Sequence, residues 1–287
     1  MEAFRHEIRR RRLGRFELVA LSDGFFHLDG GAMFGVVPKV LWEKRAAPDG
    51  RNRIRMGLRP LLVRTPEGSV LVDTGAGSGF SPKEEEIYAF ERPPDLAGSF
   101  RAAGIDPAEV RFVVASHLHF DHAGGNTVRD AGGTWRPAFP EALTLVQERE
   151  WVAARSPGPR SRGSYREENF LPLEEAGLVE RVDGEAEPLP GVRLVPSPGH
   201  TAGHQGVRVE SEGETAFFAG DTIPTAAHLD LPWVMAYDLF PQETVDRKRE
   251  LLPACADGGW LVVLPHDPST PWGRVIREGK GFRFVPE

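Results

Sequence analysis

A single cysteine in 287 residues, Cys255, excludes an internal disulfide and fits a reducing compartment. Long apolar runs are missing as well. No stretch reaches the roughly 18 apolar residues of a membrane span, so no transmembrane helix is expected. Positive charge is not in excess: 35 Lys and Arg stand against 42 Asp and Glu, for a net charge of −7. That balance argues against a dedicated nucleic-acid binder. The amino terminus, Met1 to Arg15, is Arg-rich but has no apolar stretch of signal-peptide type. Its Arg9-Arg10-Arg11-Arg12 run reads as a solvated strand or arm. A cytoplasmic protein with neither nucleic-acid nor membrane partners is therefore expected. No Gly-x-Ser-x-Gly elbow occurs, and Cys255 has no base near it in sequence, so serine and cysteine nucleophiles are not expected. Gly75-Ala76-Gly77-Ser78-Gly79 follows a strand but lacks the final spacing of a dinucleotide loop.

Histidine, by contrast, is concentrated. His117-Leu118-His119-Phe120-Asp121-His122 packs three imidazoles and a carboxylate into one short turn. A core would not tolerate these groups unpaired, and solvent does not need them, so a metal is the natural explanation. The run follows Val110 to Ala115, a β-branched stretch that reads as a buried strand, and precedes the turn Ala123-Gly124-Gly125-Asn126. A strand end is a favoured place for an α/β active site. His200, Asp221 and His266 each lie just after another apolar strand, in Ser197-Pro198-Gly199-His200-Thr201, Phe218-Ala219-Gly220-Asp221-Thr222 and Leu264-Pro265-His266-Asp267. Five of the nine histidines thus sit at strand edges.

The remaining pattern is one of short strands punctuated by helices. Strands are expected at Leu18 to Asp23, Arg53 to Thr65, Ser69 to Asp73, Ala142 to Val146, Leu178 to Val182, Val192 to Val195, Gln205 to Val209, Thr215 to Ala219, Trp260 to Leu264 and Phe282 to Val285. Helices are expected over Pro94 to Ala103, Glu148 to Ala154 and Glu243 to Leu252, and Ser156 to Tyr165 reads as a loop insertion. Hydrophobic content of 40% supports a sizeable core. Hairpins mixed with crossovers imply a layered α/β protein with mixed sheets.

The set His117, His119, Asp121, His122, His200, Asp221 and His266, with Leu71-Val72-Asp73-Thr74-Gly75, resembles the metallo-β-lactamase superfamily. The resemblance runs from about Phe16 to the carboxyl terminus. It implies a single α/β domain over residues 1–287, with residues 1–15 as an Arg-rich arm. The architecture would be an αβ/βα sandwich with metals at one edge of two central mixed sheets. It also implies that His117, His119 and His200 hold one metal, that Asp121, His122 and His266 hold the other, and that Asp221 bridges. Asp73 would hydrogen-bond a ligand imidazole and set its tautomer. Two divalent ions about 3.5–4 Å apart share a water and lower its pKa, and the resulting metal-bound hydroxide attacks a carbonyl or phosphorus. Asp121 would bind metal with one oxygen and carry a proton to the leaving group with the other. Mixed imidazole and carboxylate ligation suits zinc, with iron, cobalt, manganese or nickel as alternatives.

Within the superfamily, His119 stands where flavodiiron oxidoreductases have Glu. Leu21 to Lys39, together with Asp221 to His228 and Met235 to Asp238, looks like the quorum-quenching N-acyl-homoserine lactonase and methyl parathion hydrolase branch. In that branch the first stretch rims the metals and can contact a second subunit, which leaves a homodimer open. Met33, Phe34, Val36 and Trp42 are then candidates for an acyl-chain wall. The best-studied lactonases of the branch place a tyrosine three residues after the bridging Asp, where this chain has Pro224; Tyr237 or His228 would have to take its place. The resulting expectation is a dinuclear metal-dependent hydrolase that opens a lactone or cleaves a related small ester. A phosphotriesterase or phosphodiesterase, or a single-iron persulfide-type dioxygenase, is the alternative.

Overall fold

A computed structural model describes residues 8–287. Residues 1–7 of the Arg-rich stretch lie outside the described residues.

Two seven-stranded sheets form the centre, and in each the strands lie side by side in chain order. The first runs Arg9–Leu13, Phe16–Ala20, Leu61–Thr65, Gly68–Val72, Val110–Val114, Leu143–Gln147 and Val179–Val182. Its first four strands are antiparallel and the rest parallel. The second runs from Ala186–Leu189 to Gly281–Pro286, and its only parallel pair is Glu214–Phe218 with Leu261–Val263.

Strand alternation sets the layers. Leu18, Ala20, Val70 and Val72 point to the second sheet and pack with Leu194, Val207, Phe218 and Val263. The intervening Val19 and Leu71 face the other way, against Phe100 of the Leu96–Ala103 helix. On the far side, Phe217 and Val262 meet Leu251, Leu252 and Cys255 of the Pro241–Asp257 helix. The result is the expected αβ/βα sandwich with two mixed sheets. Among the described residues, no helix is long and apolar enough to cross a membrane.

The solvated strand expected at Arg9 to Arg12 is present, and one other expectation changes. The described part of the amino-terminal arm is an edge strand: Arg11 pairs with Leu18, and Arg9, Arg10 and Arg11 reach Glu287, Glu17 and Glu287. Charged side chains on an edge strand discourage sheet-to-sheet aggregation. The expected strand Arg53 to Thr65 is two strands in different sheets, because Pro60 has no N–H for a ladder. Arg53–Gly57 pairs with Phe25–Asp29 in a small sheet, and Leu61–Thr65 joins the first large one. The break matters, because Gly57 is left beside His266. The stretch from Leu21 to Lys39 runs through this small sheet. It holds Phe25–Asp29, then a short helix, Gly30–Phe34, capped by Asp29, with a second short helix at Lys39–Trp42.

Candidate metal centre

The Val110–Val114 strand ends at Ala115, and the chain then turns across the edge of the sandwich. A four-residue helix, Phe120–Ala123, puts Asp121 and His122 on the same side as His117 and His119. Gly124 closes that turn against the loop carrying Asp73. A Cβ there would lie 2.0 Å from the Ala76 carbonyl oxygen, so only glycine permits the approach. His200, Asp221 and His266 arrive from the second sheet, each past the end of its strand.

Seven candidate ligands therefore converge. One ring nitrogen from each of His117, His119 and His200 lies within 4.8 Å of the others, and the same spacing holds for Asp121, His122 and His266. Asp221 lies between the two groups. Its Oδ2 is 3.3 Å from His200 Nε2, while Oδ1 is 3.2 Å from His266 Nε2 and 3.3 Å from His122 Nε2. All but Asp121 are buried.

The donor set fits metal ions and little else. His117 Nε2 is buried with no hydrogen-bond partner. His200 Nε2 faces His119 Nδ1 at 3.1 Å, and His266 Nε2 faces His122 Nε2 at 2.9 Å. Buried nitrogens that crowd one another, with the single Asp221 carboxylate between them, suit shared cations, because such groups are otherwise expensive to bury together.

On four of the five rings, all but His119, the opposite nitrogen is tied down. Asp73 accepts His122 Nδ1 at 2.8 Å, and His117 Nδ1 reaches Asp73 through the Ser116 hydroxyl at 3.1 and 2.8 Å. Asp238 accepts His200 Nδ1 at 2.9 Å, and the Gly57 carbonyl accepts His266 Nδ1 at 2.8 Å. Such bonds fix which nitrogen faces the centre. His204 acts one shell out. Its Nδ1 donates to the Ser197 carbonyl, and its Nε2 accepts the Asp221 backbone N–H at 2.9 Å.

Charge follows the same division. Burial, then the neighbouring imidazoles His122 and His119, holds His117 well below the usual imidazole range, and burial with His200 does the same to His119. Burial also disfavours a charged His122 or His200, but Asp221 and its fellow carboxylates outweigh it and raise both. Burial raises Asp221, yet His122, His200 and His266 hold it well below the carboxylate range. The carboxylates thus draw positive charge into the space between the rings, where a divalent cation would compete with protons for the same nitrogens.

Above this floor lies a pocket of about 280 Å³. His119, Asp121, Asp221 and His266 form part of its base, and Leu28, Met33, Met56, Phe120 and Met235 give it apolar walls. Tyr88, Tyr237 and Arg160 are its polar groups at the side. The loop insertion contributes directly: Ser164 accepts the Phe120 N–H, and Arg160 reaches the carbonyls of Ala236 and Asp238.

The expected substrate contacts divide. Met33 and Tyr237 line this pocket; Phe34, Val36, Trp42 and His228 do not. Phe34 is fully buried, stacked between Trp42 and His228 at 5.2 and 4.6 Å, and so belongs to the core. Val36 is 88% exposed on the outer surface. His228 has both ring nitrogens engaged, with Thr225 Oγ1 and the Met33 carbonyl at 2.8 Å each, which leaves nothing to offer a substrate. Asp238, Met56, Met235 and Arg160 were not singled out from sequence. Asp238 stands in the same stretch as Tyr237, but its partner is 38 residues away.

Comparison with known proteins agrees with this geometry. The metallo-beta-lactamase superfamily matches residues 60–272. An N-acyl homoserine lactonase of Bacillus cereus is 32% identical over 249 residues, covering 82% of this chain and 88% of that protein. A probable metal-dependent hydrolase from Staphylococcus aureus superposes with a TM-score of 0.89 at 29% identity, over 96% of this chain and 99% of its own. A dizinc quorum-quenching lactonase solved with a product shares the fold, with a TM-score of 0.80 at 22% identity over 98% and 97% of the two chains. With a family match over most of its length and a metal-ligating cluster at the sandwich edge, this chain belongs to the metallo-beta-lactamase superfamily and is a metal-dependent hydrolase.

Proposed function

We propose that this hydrolase opens lactones of the N-acyl-homoserine type, or cleaves closely related esters, at a two-ion centre. The observation that carries the reading is the pocket itself. Paired imidazole and carboxylate groups form its floor, methionine and aromatic side chains its walls, and two phenols, Tyr88 and Tyr237, stand at its side. The 32% identity to a lactonase over 82% of the chain supports the same choice.

His117, His119 and His200 would hold one ion, and Asp121, His122 and His266 the other, with Asp221 between them. Zinc suits this ligand set. Bound there, two divalent ions supply Lewis acidity and an ionised water at neutral pH. The protein's own groups orient the reaction. Met33, Met56 and Met235 are unbranched and polarizable, and so accept acyl chains of differing length. Burial, then Asp29 and Asp121, pushes the Tyr237 phenol up to about 12, so it keeps its proton and can donate it to a carbonyl oxygen as charge develops. Tyr237 thereby takes the place left vacant at Pro224. Asp121, the most exposed of the seven side chains, carries a proton to the departing ring oxygen.

Turnover of a long-chain N-acyl lactone, compared with an aryl phosphotriester, tests the choice of substrate. Lactone hydrolysis should dominate by at least tenfold. A metal-loaded protein that hydrolyses the phosphotriester and neither lactones nor carboxylic esters refutes the proposal. His117→Ala should lose metal and activity together.

A further inference from the structure

Beneath the three-imidazole half of the centre lies a carboxylate that the reaction does not use. Glu150 sits in the first turn of the Glu148–Arg155 helix and is fully buried. Among the described residues it has no ion-pair partner, and three neutral donors satisfy it instead. The Leu118 N–H and the Tyr165 hydroxyl both donate to Oε1 at 3.0 Å, and the Thr201 hydroxyl donates to Oε2 at 2.5 Å. The helix is held tightly there: a Cβ on Gly203 would lie 2.2 Å from the Glu150 backbone nitrogen.

The three donors come from three separate segments. Leu118 lies between His117 and His119. Thr201 follows His200. Tyr165 ends the loop insertion, and its ring packs 4.8 Å from that of His119. Every segment that Glu150 ties down therefore carries or touches a member of the His117, His119, His200 group. The turn that holds Leu118 goes on to Asp121 and His122, but the residues flanking the Glu150 contacts on either side are His117, His119 and His200. The two halves also differ in charge. Asp121 and Asp73 lie within 4 Å of His122, whereas in the His117, His119, His200 group only His200 has a carboxylate of its own, Asp238, beside the shared Asp221.

We propose that Glu150 is a positioning residue for the three-histidine half alone. It fixes the spacing of His117, His119 and His200 through the backbone on either side, and it supplies buried negative charge that favours a cation on that side. The inference rests on the two-ion reading above.

Glu150→Gln tests it in the full-length protein. The amide oxygen can keep the Leu118 and Tyr165 bonds, and the Thr201 hydroxyl can turn to accept from the amide nitrogen, so the substitution removes charge while sparing most of the network. Zinc stoichiometry and chelator competition should show two tight ions per wild-type chain. The variant should keep one of them at wild-type affinity and bind the second at least tenfold more weakly. In cobalt-substituted protein, the absorption change should be confined to one of the two ions. Thr201→Val removes one leg without altering charge and should weaken the same ion by less, which provides the reading if the glutamine variant does not fold. Equal loss of both ions, or no loss of either, overturns the inference. A wild-type stoichiometry of one overturns the two-ion reading, and this inference with it.

Discussion

Asp73 offers a graded perturbation whose outcome depends on which carboxylate oxygen is lost. Its Oδ2 accepts from His122 Nδ1 and the Ser116 hydroxyl, both at 2.8 Å, and its Oδ1 accepts from the Ser116 N–H at 2.7 Å. The backbone is left-handed, with φ at 57°, a region that asparagine tolerates and alanine does not. In Asp73→Asn the amide can turn so that its oxygen keeps the two Oδ2 bonds. The Ser116 N–H then faces the amide NH2, and each buried donor left without an acceptor costs roughly 1–3 kcal/mol. In Asp73→Ala all three donors lose their partner, at roughly 1–3 kcal/mol each, and the left-handed backbone adds roughly 1–2 kcal/mol of strain. Metal affinity should follow the His122 bond. It should fall by no more than about tenfold in the asparagine variant and by roughly 10- to 100-fold in the alanine variant. Competition against a chromophoric zinc chelator gives the affinities, and melting of metal-free protein gives the stabilities. If the alanine variant binds zinc as tightly as the wild type, or if asparagine proves as damaging as alanine, the orienting role of Asp73 is wrong.

Tyr237→Phe should lower kcat for a lactone by at least about tenfold, the worth of one donor to a developing oxyanion, with metal content unchanged; steady-state kinetics beside zinc analysis checks this. His228 is held at about 3, burial being the main cause and the Met33 carbonyl opposing it. Its folded pKa therefore lies below the unfolded value, the unfolded chain takes up the proton first, and stability is lost as pH falls below about 6.5. At pH 5 the wild type should have lost about 2 kcal/mol relative to His228→Gln, as read from denaturant curves at several pH values. Chelation should remove activity and lower the melting temperature, by the equivalent of about 4 kcal/mol for ions present at a thousand times their dissociation constant; a melt insensitive to chelator would contradict a structural contribution from the centre.

The sequence carried the chemistry better than the surroundings of the chemistry. His117 to His122 was legible because four ligating side chains within six residues have almost no other use. His200, Asp221 and His266 were legible because each follows an apolar strand. Asp238 and Glu150 were not, because an acid that orients a histidine looks like any surface acid until the fold brings the two together. The partner of Asp238 lies 38 residues away, and those of Glu150 lie 15 to 51 residues away. The acyl-chain wall was legible only at Met33, for a related reason. Phe34 and Trp42 are apolar in a segment near the site, but sequence cannot tell a side chain that faces a pocket from one that packs behind it. Met56 was hidden in what read as one long strand, and only the break at Pro60 turns that segment toward the centre.

The order of the strands has one more consequence. Every strand of the first large sheet precedes Asp183, and every strand of the second follows Glu185, so the chain passes between the sheets once, through Asp183-Gly184-Glu185. Gly184 makes that passage with a positive φ of 92°. A cut there would divide the candidate ligands four to three: His117, His119, Asp121 and His122 in one fragment, His200, Asp221 and His266 in the other. Neither fragment would own a complete set for either ion. The molecule is in this sense a heterodimer of its own halves, and the centre exists only where the two are assembled.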